Sequence, residues 1–361
     1  MALGPATRTP WWAWAWPALA AILLGLQLVW HIRGWFAALE AFALIAVVFA
    51  AVYHAEVVAH RVGEPFGSLV LALAVTIIEV ALIVSVMITS GSAASSLPRD
   101  TVFAAVMIVC NGIVGLCLLA GGMRHREQGF QLQGANAALA VLIALTTLTL
   151  VFPNVTVTTT GPTFSESQLA FAAIVSLILY GSFLFVQTVR QRDYFLPVGG
   201  GAEEHCEPPP NKLALASAGL LLVALVAVVG LAKALTPILE RGIDRLGVSK
   251  GMVGIVIAGL VLLPEGLASF RAARANRLQT SMNLALGSAL ASIGLTIPAV
   301  AAVSIFMHTS LALGLMPKEI VLLVVTLIVS LLTLGTGRTT VLQGIVHLVL
   351  FASFLFLSVV P

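Results

Sequence analysis

The sequence is poor in charged residues. Only 9% of its 361 residues are Asp, Glu, Lys or Arg, whereas 60% are hydrophobic and the mean hydropathy is +1.07. A water-soluble domain carries about 25% charged and about 45–50% apolar residues. This shortage of charge excludes an ordinary soluble domain, because so much apolar surface must face something other than water.

Motifs that would define other protein classes are also missing. Three cysteines provide neither a disulfide framework nor the spacing of a metal site. The sequence has no Walker loop, so we expect no direct use of ATP, and no cofactor is expected. An intramembrane hydrolase or lipid-modifying enzyme is disfavoured, since neither H-E-x-x-H nor G-x-S-x-G occurs. The 18 Lys and Arg form no basic, aromatic-interleaved patch, which argues against nucleic-acid binding.

What the sequence has instead is a series of long apolar runs. Each is long enough to cross a hydrocarbon core of about 30 Å as a helix, and the ten-residue alternation of a transmembrane β-barrel is missing. The eleven runs cover approximately 11–30, 35–56, 67–90, 100–121, 134–152, 168–189, 213–235, 251–270, 281–307, 319–336 and 339–360. They predict an all-α polytopic membrane protein with about 11 transmembrane helices.

The positive charges predict the orientation of the chain in the membrane. With the N terminus in the cytoplasm, eleven of the 18 Lys and Arg fall on inside loops and seven on outside loops. Inside loops of membrane proteins carry an excess of Lys and Arg. The sequence therefore predicts a cytoplasmic N terminus and an outside C terminus.

The spacing of the runs predicts an internal repeat. Residues 191–212 are rich in Gly, Pro and Glu and are predicted to form a cytoplasmic hinge loop. If 1–34 provides one extra N-terminal helix, five runs precede the hinge in 35–190 and five follow it in 213–361. A five-helix unit must insert the second time in the opposite orientation. Such inverted repeats are typical of transporters whose ion site lies at the repeat interface.

Two glutamates lie deep in runs that hold equivalent places in the two halves. Glu79 has about ten apolar residues on each side. Glu265 lies between Pro264 and Gly266, so its helix is expected to kink or open and to free backbone carbonyls. Carboxylate and carbonyl oxygens suit hard cations such as Ca²⁺ and Na⁺. We therefore predict a shared cation/proton site built around these two side chains.

The buried charge also predicts how such a site works. Two empty, ionised carboxylates would form a buried dianion, whose desolvation is prohibitive. The site should cross the barrier loaded with a cation or with protons, which is the physical content of antiport. A passive channel is disfavoured, because deep carboxylates without ring symmetry suit occlusion better than conduction.

Other polar residues are weaker candidates. Further ligand oxygens could come from Thr76, Asn111, Ser288 and Ser292, although each is also an ordinary helix-packing residue. Near helix ends, Glu56 and Glu64 could gate the site or relay protons, or could snorkel to the interface. Glu40 and His347 are predicted to be packing or boundary residues.

Two stretches resemble a known family. Residues 54–87 and 259–300 are similar to the two repeats of the calcium/cation antiporter superfamily, in motifs that span about 54–120 and 251–307, and look closest to its bacterial ChaA-type cation/proton antiporters. The resemblance implies an ion site at Glu79 and Glu265, with the family's Gly-Ser-Ala at 287–289. It implies a secondary transporter of the bacterial inner membrane that exchanges Ca²⁺, Na⁺ or K⁺ for H⁺ and is surrounded by lipid.

One departure from the family bears on the ion. The exchangers usually carry Gly-Asn four and three residues before each glutamate, whereas this sequence has Val75-Thr76 and Val261-Leu262. Two amide oxygens are missing. The main hypothesis is Ca²⁺/H⁺ exchange with Na⁺ and K⁺ also handled, and the alternative is a monovalent Na⁺(K⁺)/H⁺ antiporter with little Ca²⁺ activity.

Overall fold

The computed structural model describes residues 9–30, 36–63, 66–90, 95–196, 208–246 and 251–360. Eleven helices in these ranges follow the eleven apolar runs, and ten of them are long and apolar enough to cross a membrane. The prediction of an all-α polytopic membrane protein with about 11 helices is confirmed. The chain is an integral membrane protein.

The helices are numbered here in chain order. They are α1 (Trp11–Trp30), α2 (Phe36–Val62), α3 (Phe66–Ser90), α4 (Leu97–His125), α5 (Leu132–Asn154), α6 (Glu166–Arg190), α7 (Asn211–Leu246), α8 (Gly251–Arg274), α9 (Leu278–Met307), α10 (Pro317–Leu334) and α11 (Val341–Val359). Two short strands, β1 (Gln128–Gly129) and β2 (Arg338–Thr339), pair antiparallel.

Three helices contain a π-helical turn, which the sequence did not predict. These turns are Ile108–Ile113 in α4, Thr147–Val151 in α5 and Val186–Arg190 in α6. A short 3-10 turn, Arg192–Phe195, follows α6. Single π-turns inside α-helices are frequent at functional sites.

Some helices extend beyond their apolar runs. The structure continues α2 to Val62, six residues past the predicted end, and α7 to Leu246, eleven residues past it. The length of an apolar run matches the thickness of the hydrocarbon core. The helix itself can be longer, because polar residues can continue it into the headgroup region. The last turn of α2 holds Arg61, whose positive charge is favourable at a helix C terminus.

The chain forms two compact units, each with segments from both sides of the predicted hinge. Unit 1 is Met1–Thr89 with Ala202–Gly247, and unit 2 is Ser90–Gly201 with Val248–Pro361. These units do not coincide with the predicted 35–190 and 213–361 repeats. Compactness and internal repetition are different properties, so the repeat boundaries stay a prediction.

In unit 1, helices α1, α2 and α7 pack against one another. A Cβ at Gly230 of α7 would lie 2.5 Å from the side chain of Leu24, so glycine allows α7 to approach α1 closely. The ring of His54, fully buried on α2, lies 2.8 Å from the backbone oxygen of Ala13. These contacts tie the three helices together.

In unit 2, helices α4 and α8 run parallel. A Cβ at Gly254, near the start of α8, would lie 2.8 Å from the backbone of Asp100, near the start of α4. At the other end, the ring nitrogen of His125 lies 3.0 Å from the carbonyl oxygen of Arg274. Unit 2 therefore has two distinct ends, one at residue 100 and one at residues 125 and 274.

The arginines of unit 2 are concentrated at the second of these ends. Among the described residues of unit 2, Arg99 and Lys318 lie at the end where α4 and α8 begin. The end where these helices finish holds Arg124, Arg126, Arg190, Arg192, Arg271, Arg274, Arg277 and Arg338. The positive-inside rule acts on such a difference in positive charge, and the orientation of the chain in the membrane stays a prediction.

Cysteine labelling tests this orientation. In a cysteine-free background, single cysteines at Ser96 and Asn276 are expected to react from opposite sides of the membrane, with Asn276 labelled from the cytoplasm, because α4 and α8 separate them. Labelling of both positions from the same side would contradict the arrangement.

Glycines set the contact between α4 and α11. A Cβ at Gly344 would lie 2.5 Å from the backbone nitrogen of Leu119, and one at Gly115 would lie 3.0 Å from the Cβ of His347. Neighbouring backbones that approach this closely leave no room for a methyl group.

Substitution of these glycines has a clear expected result. Gly344→Ala should lower the stability of the purified protein by about 1–3 kcal/mol, since overpacking a tight contact costs that much. Gly181→Ala is the matched control in α6, because a Cβ there would meet no neighbouring side chain of the described residues within 4 Å and alanine favours the helix. Thermal unfolding in detergent should show a lower Tm for the first variant only; equal Tm values would contradict the packing.

Candidate functional site

Glu79 lies in the middle of α3 and is almost completely buried. Its side chain is 1% exposed, and the flanking side chains of Ile78, Leu82 and Ile83 are buried as well. Thr76 is buried one turn earlier and so shares a helix face with Glu79. The structure therefore places one predicted ligand pair, Thr76 and Glu79, together in unit 1.

Glu265 is half-buried near the middle of α8, in unit 2. The helix is α-helical from Gly251 to Arg274, so it does not open at Pro264 as the sequence suggested. Proline removes only its own N–H, and the helix keeps the remaining backbone bonds on either side. Val261 and Leu262, which replace the family's Gly-Asn, are buried and apolar.

The π-turn of α4 packs directly against the helix that carries Glu265. A Cβ at Gly266 would lie 3.2 Å from Cδ1 of Ile113, and one at Gly259 would lie 4.0 Å from Cδ1 of Ile108. These isoleucines are the last and first residues of the π-turn. The π-turn thus supports α8 on both sides of Glu265.

Helix α9 carries the second-half serines and packs against both α8 and the π-turn. Ser292 is buried, Ser288 is half-buried, and a Cβ at Gly287 would meet no neighbouring side chain of the described residues within 4 Å. Unit 2 therefore brings together the helices that carry Asn111, Glu265, Ser288 and Ser292. Their oxygens are of the type that binds hard cations.

Asn111 does not present a free amide. Its Nδ2 donates to Oγ1 of Thr326 at 2.8 Å, and its Oδ1 lies 3.1 Å from Nδ1 of His347. A cation at this oxygen would have to share it with the imidazole. Asn111 therefore remains a candidate ligand by sequence, but the structure shows it engaged with α10 and α11.

The remaining acidic candidates lie in unit 1 or outside the described residues. Glu56 is half-buried on α2, one turn before His60. Glu40 is buried on the same helix, at 1% exposure. Glu64 falls outside the described residues, as do Glu203, Glu204 and Glu207 of the hinge loop. A role for Glu56 as a gate or relay stays a prediction.

A polar chain that the sequence did not reveal runs along α9 toward Gly287. Oε1 of Gln279 accepts from the backbone N–H of Gln131 at 2.6 Å, and its Nε2 donates to Oδ1 of Asn283 at 2.9 Å. Nδ2 of Asn283 in turn donates to the carbonyl of Phe195 at 2.6 Å, which ties the 3-10 turn after α6 to α9. The spacing of these residues in the sequence could have indicated the chain, because residues 279, 283 and 287 are four apart and so share one helix face. In the structure they line one small cavity.

His347, predicted to be a packing or boundary residue, is buried in the packing of α11 against α4 and is also the centre of a hydrogen-bonded group. Its Nε2 lies 3.1 Å from Oγ1 of Thr333, and its Nδ1 contacts Asn111. The overlooked signal is a row of hydroxyl residues at one helix face of α10, namely Thr326, Ser330 and Thr333, all of them buried.

Comparison with known proteins identifies the family. The family model described as sodium/calcium exchanger protein matches residues 33–189 and 216–360 of this chain. The chain belongs to this family. The resemblance noted in the two repeats is thereby confirmed, since this family forms part of the calcium/cation antiporter superfamily. Members are transporters.

Individual relatives cover most of the chain. The protein y4hA of Sinorhizobium fredii is 49% identical over 358 residues, which are 98% of this chain and 97% of y4hA. The sodium-potassium/proton antiporter ChaA of Escherichia coli is 37% identical over 325 residues, 88% of each chain. The structure of native YfkE has a TM-score of 0.75 at 18% identity and covers 97% of this chain and 100% of its own, which shows a common fold.

Proposed function

We propose that this chain is a secondary antiporter that exchanges cations for protons, and that Glu79 and Glu265 each bind cation and proton in turn. The observation that carries the proposal is one glutamate in the middle of an apolar helix in each compact unit: Glu79 is 1% exposed in α3, and Glu265 lies in α8 against the π-turn. Ionisable residues at this depth are expensive and mark ion or proton pathways.

The exchange follows from the cost of a buried charge. A carboxylate that loses its proton inside the membrane needs a compensating cation, because desolvation penalises the uncompensated anion. A protonated carboxyl is neutral and needs none. The protein can therefore switch the exposure of each glutamate from one side of the membrane to the other only when that glutamate holds a proton or a cation. This requirement couples cation flow to proton flow without ATP.

Ca²⁺ is proposed as a substrate, with Na⁺ and K⁺ competing. Two carboxylates balance the charge of Ca²⁺ fully, whereas a monovalent ion leaves one negative charge unless a proton stays bound. Ca²⁺ also takes six to eight oxygens, which must come from hydroxyls, backbone carbonyls and water in the absence of the two amides. We expect modest affinity for Ca²⁺ as a result.

A monovalent Na⁺(K⁺)/H⁺ antiporter is the second candidate. It is favoured by the 37% identity to ChaA of Escherichia coli, a sodium-potassium/proton antiporter, and by the apolar Leu262 in a ligand position of the family. A site with few ligand oxygens weakens the binding of Ca²⁺, which takes six to eight of them. It weakens the binding of Na⁺ or K⁺ less if the monovalent ion keeps part of its hydration shell.

The proposed location is the bacterial inner membrane with a cytoplasmic N terminus. The bacterial relatives and the arginine-rich end of unit 2 support this location. The proposed partners are inorganic cations, protons and the surrounding lipid.

Purified protein in liposomes tests the choice of ion. With Ca²⁺, Na⁺ and K⁺ supplied separately and internal pH recorded, Ca²⁺ should drive proton movement, Na⁺ should compete measurably, and rates should rise toward alkaline pH as the carboxyl groups lose protons. Na⁺ or K⁺ exchange without any response to Ca²⁺ would favour the second candidate. No proton movement with any of the three ions would overturn the proposed function.

A further inference from the structure

A buried hydrogen-bonded chain joins α4 to α10 and α11 on the side of the π-turn away from α8. It runs from Thr333 to His347 at 3.1 Å, from His347 to Asn111 at 3.1 Å, and from Asn111 to Thr326 at 2.8 Å. All four residues are at most 3% exposed. Polar groups are seldom buried in an apolar core without a specific partner, and here each has one.

With the amide of Asn111 oriented as in the structure and a neutral imidazole at His347, the donors and acceptors of this chain fit one arrangement. With Nδ2 of Asn111 donating to Thr326, Oδ1 of Asn111 can only accept, so Nδ1 of His347 carries the hydrogen. Nε2 of the neutral imidazole then accepts from the hydroxyl of Thr333, and the hydroxyl of Thr326 points to Sδ of Met107 at 3.4 Å. A fully satisfied buried network of this kind is rigid.

The π-turn lies between this network and the helix of Glu265. On one side, a Cβ at Gly112 would lie 3.3 Å from the ring of Phe351, and Gly115 touches His347, so α11 packs closely against α4. On the other side, Ile108 and Ile113 contact α8 at Gly259 and Gly266. A shift of the π-turn is therefore passed directly to the backbone next to Glu265.

We propose that Thr326 and His347 are positioning residues for Glu265, and that they act by holding the side chain of Asn111 and with it the π-turn of α4. The proposal rests on the antiport function above, in which Glu265 binds the cation. It assigns Asn111 to the support of the site, with its amide committed to α10 and α11.

The π-turn needs such an anchor. Its hydrogen bonds span five residues, as in the bond from the N–H of Val114 to the carbonyl of Val109, and this register is rare because α-helical bonds compete with it. A return to α-helical register would rotate the adjoining segment by about 100° and shift it by about 1.5 Å. Ile113 would then leave Gly266. The bonds from Asn111 to Thr326 and His347 oppose that change.

The direct test is Thr326→Val, which keeps the shape of the side chain and removes the acceptor for Asn111. We expect the KM for the transported cation to rise about tenfold, as is typical when a residue that orients a metal ligand is lost, with a smaller change in the maximal rate. The cation-dependent increase in Tm of the purified protein should weaken in parallel.

Two controls separate positioning from a general loss of stability. Thr149→Val removes an equally buried hydroxyl that bonds to its own helix, at the carbonyl of Leu145, and should leave KM unchanged. His347→Gln retains a donor for Asn111 and should stay near the parent KM, whereas His347→Leu should match Thr326→Val. In an Asn111→Leu background, Thr326→Val should have no further effect.

The outcomes are distinguishable. A parent-like KM in both Thr326→Val and His347→Leu would overturn the positioning role, as would equal changes in Thr149→Val. Glu265→Gln is assayed in parallel: if it still exchanges cations for protons, the proposed function itself fails. If Glu265→Gln is inactive while the Thr326 and His347 variants keep the parent KM, only the positioning proposal fails.

Discussion

Replacing Glu265 or Glu79 with Gln is expected to reduce cation/proton exchange by at least roughly 100-fold, beyond the loss caused by removing a residue that only orients a ligand. Glutamine preserves the size of the side chain but can neither release a proton nor carry the charge that a cation requires. Each variant is expected to insert and purify normally, because a neutral amide costs less in the membrane than a carboxylate.

Glu40→Gln is the matched control for this experiment. Glu40 is buried at 1% exposure on α2, like Glu79 on α3, so the same substitution is made at the same degree of burial. We expect exchange close to that of the parent protein. Near-normal exchange in either Glu79→Gln or Glu265→Gln would show that the residue does not bind the transported ions.

The second large effect concerns ion preference. Thr76→Asn combined with Leu262→Asn restores the amides that the family usually carries three residues before each glutamate. Both positions are buried, at 5% and 2% exposure, so each new amide is desolvated and benefits strongly from a cation. The ratio of KM for Na⁺ to KM for Ca²⁺ is expected to rise roughly tenfold, which corresponds to about 1.4 kcal/mol.

Transport assays with each ion in liposomes measure this ratio. Thr76→Val is the opposing variant, because it removes a hydroxyl oxygen without changing the shape of the side chain, and it should move the ratio in the other direction. An unchanged ratio in both variants would show that these positions do not contribute ligands.

The sequence predicted the helices well because a membrane imposes a simple length requirement. Every apolar run became a helix, since a spanning segment must satisfy its own backbone hydrogen bonds. The ends were less accurate, as at Val62 and Leu246, because the helix continues where the hydrocarbon core has ended.

The π-turns and the surroundings of the glutamates were not predictable in the same way. A π-turn such as Ile108–Ile113 differs from an α-helix by one step of hydrogen-bond register, and its residues have no distinctive pattern. The depth of Glu79 and Glu265 could be read from the flanking apolar residues. By contrast, the partners of Asn111 are 215 and 236 residues away in sequence, and only the packing of α4 with α10 and α11 brings them together.

The helix at Pro264 illustrates the same limit. Proline predicts the loss of one backbone bond, and the sequence suggested a kinked or opened helix that would supply carbonyl ligands. The structure keeps α8 α-helical through Pro264, so the helix does not open, and a kink at this position stays a prediction. Proline removes only its own N–H, so the other backbone bonds of the helix remain. Ile108 and Ile113 pack beside Gly259 and Gly266, a contact that the local sequence does not show.

The central claim is obligatory coupling between cation and proton. The most direct measurement is proton flux across liposomes that contain the purified protein, with the membrane voltage clamped and a pH gradient imposed in either direction. We predict that protons move only when a transported cation is present on the opposite side, and that reversing the pH gradient reverses the cation flux. Cation flux that is indifferent to the pH gradient, or proton flux without any cation, would contradict the account.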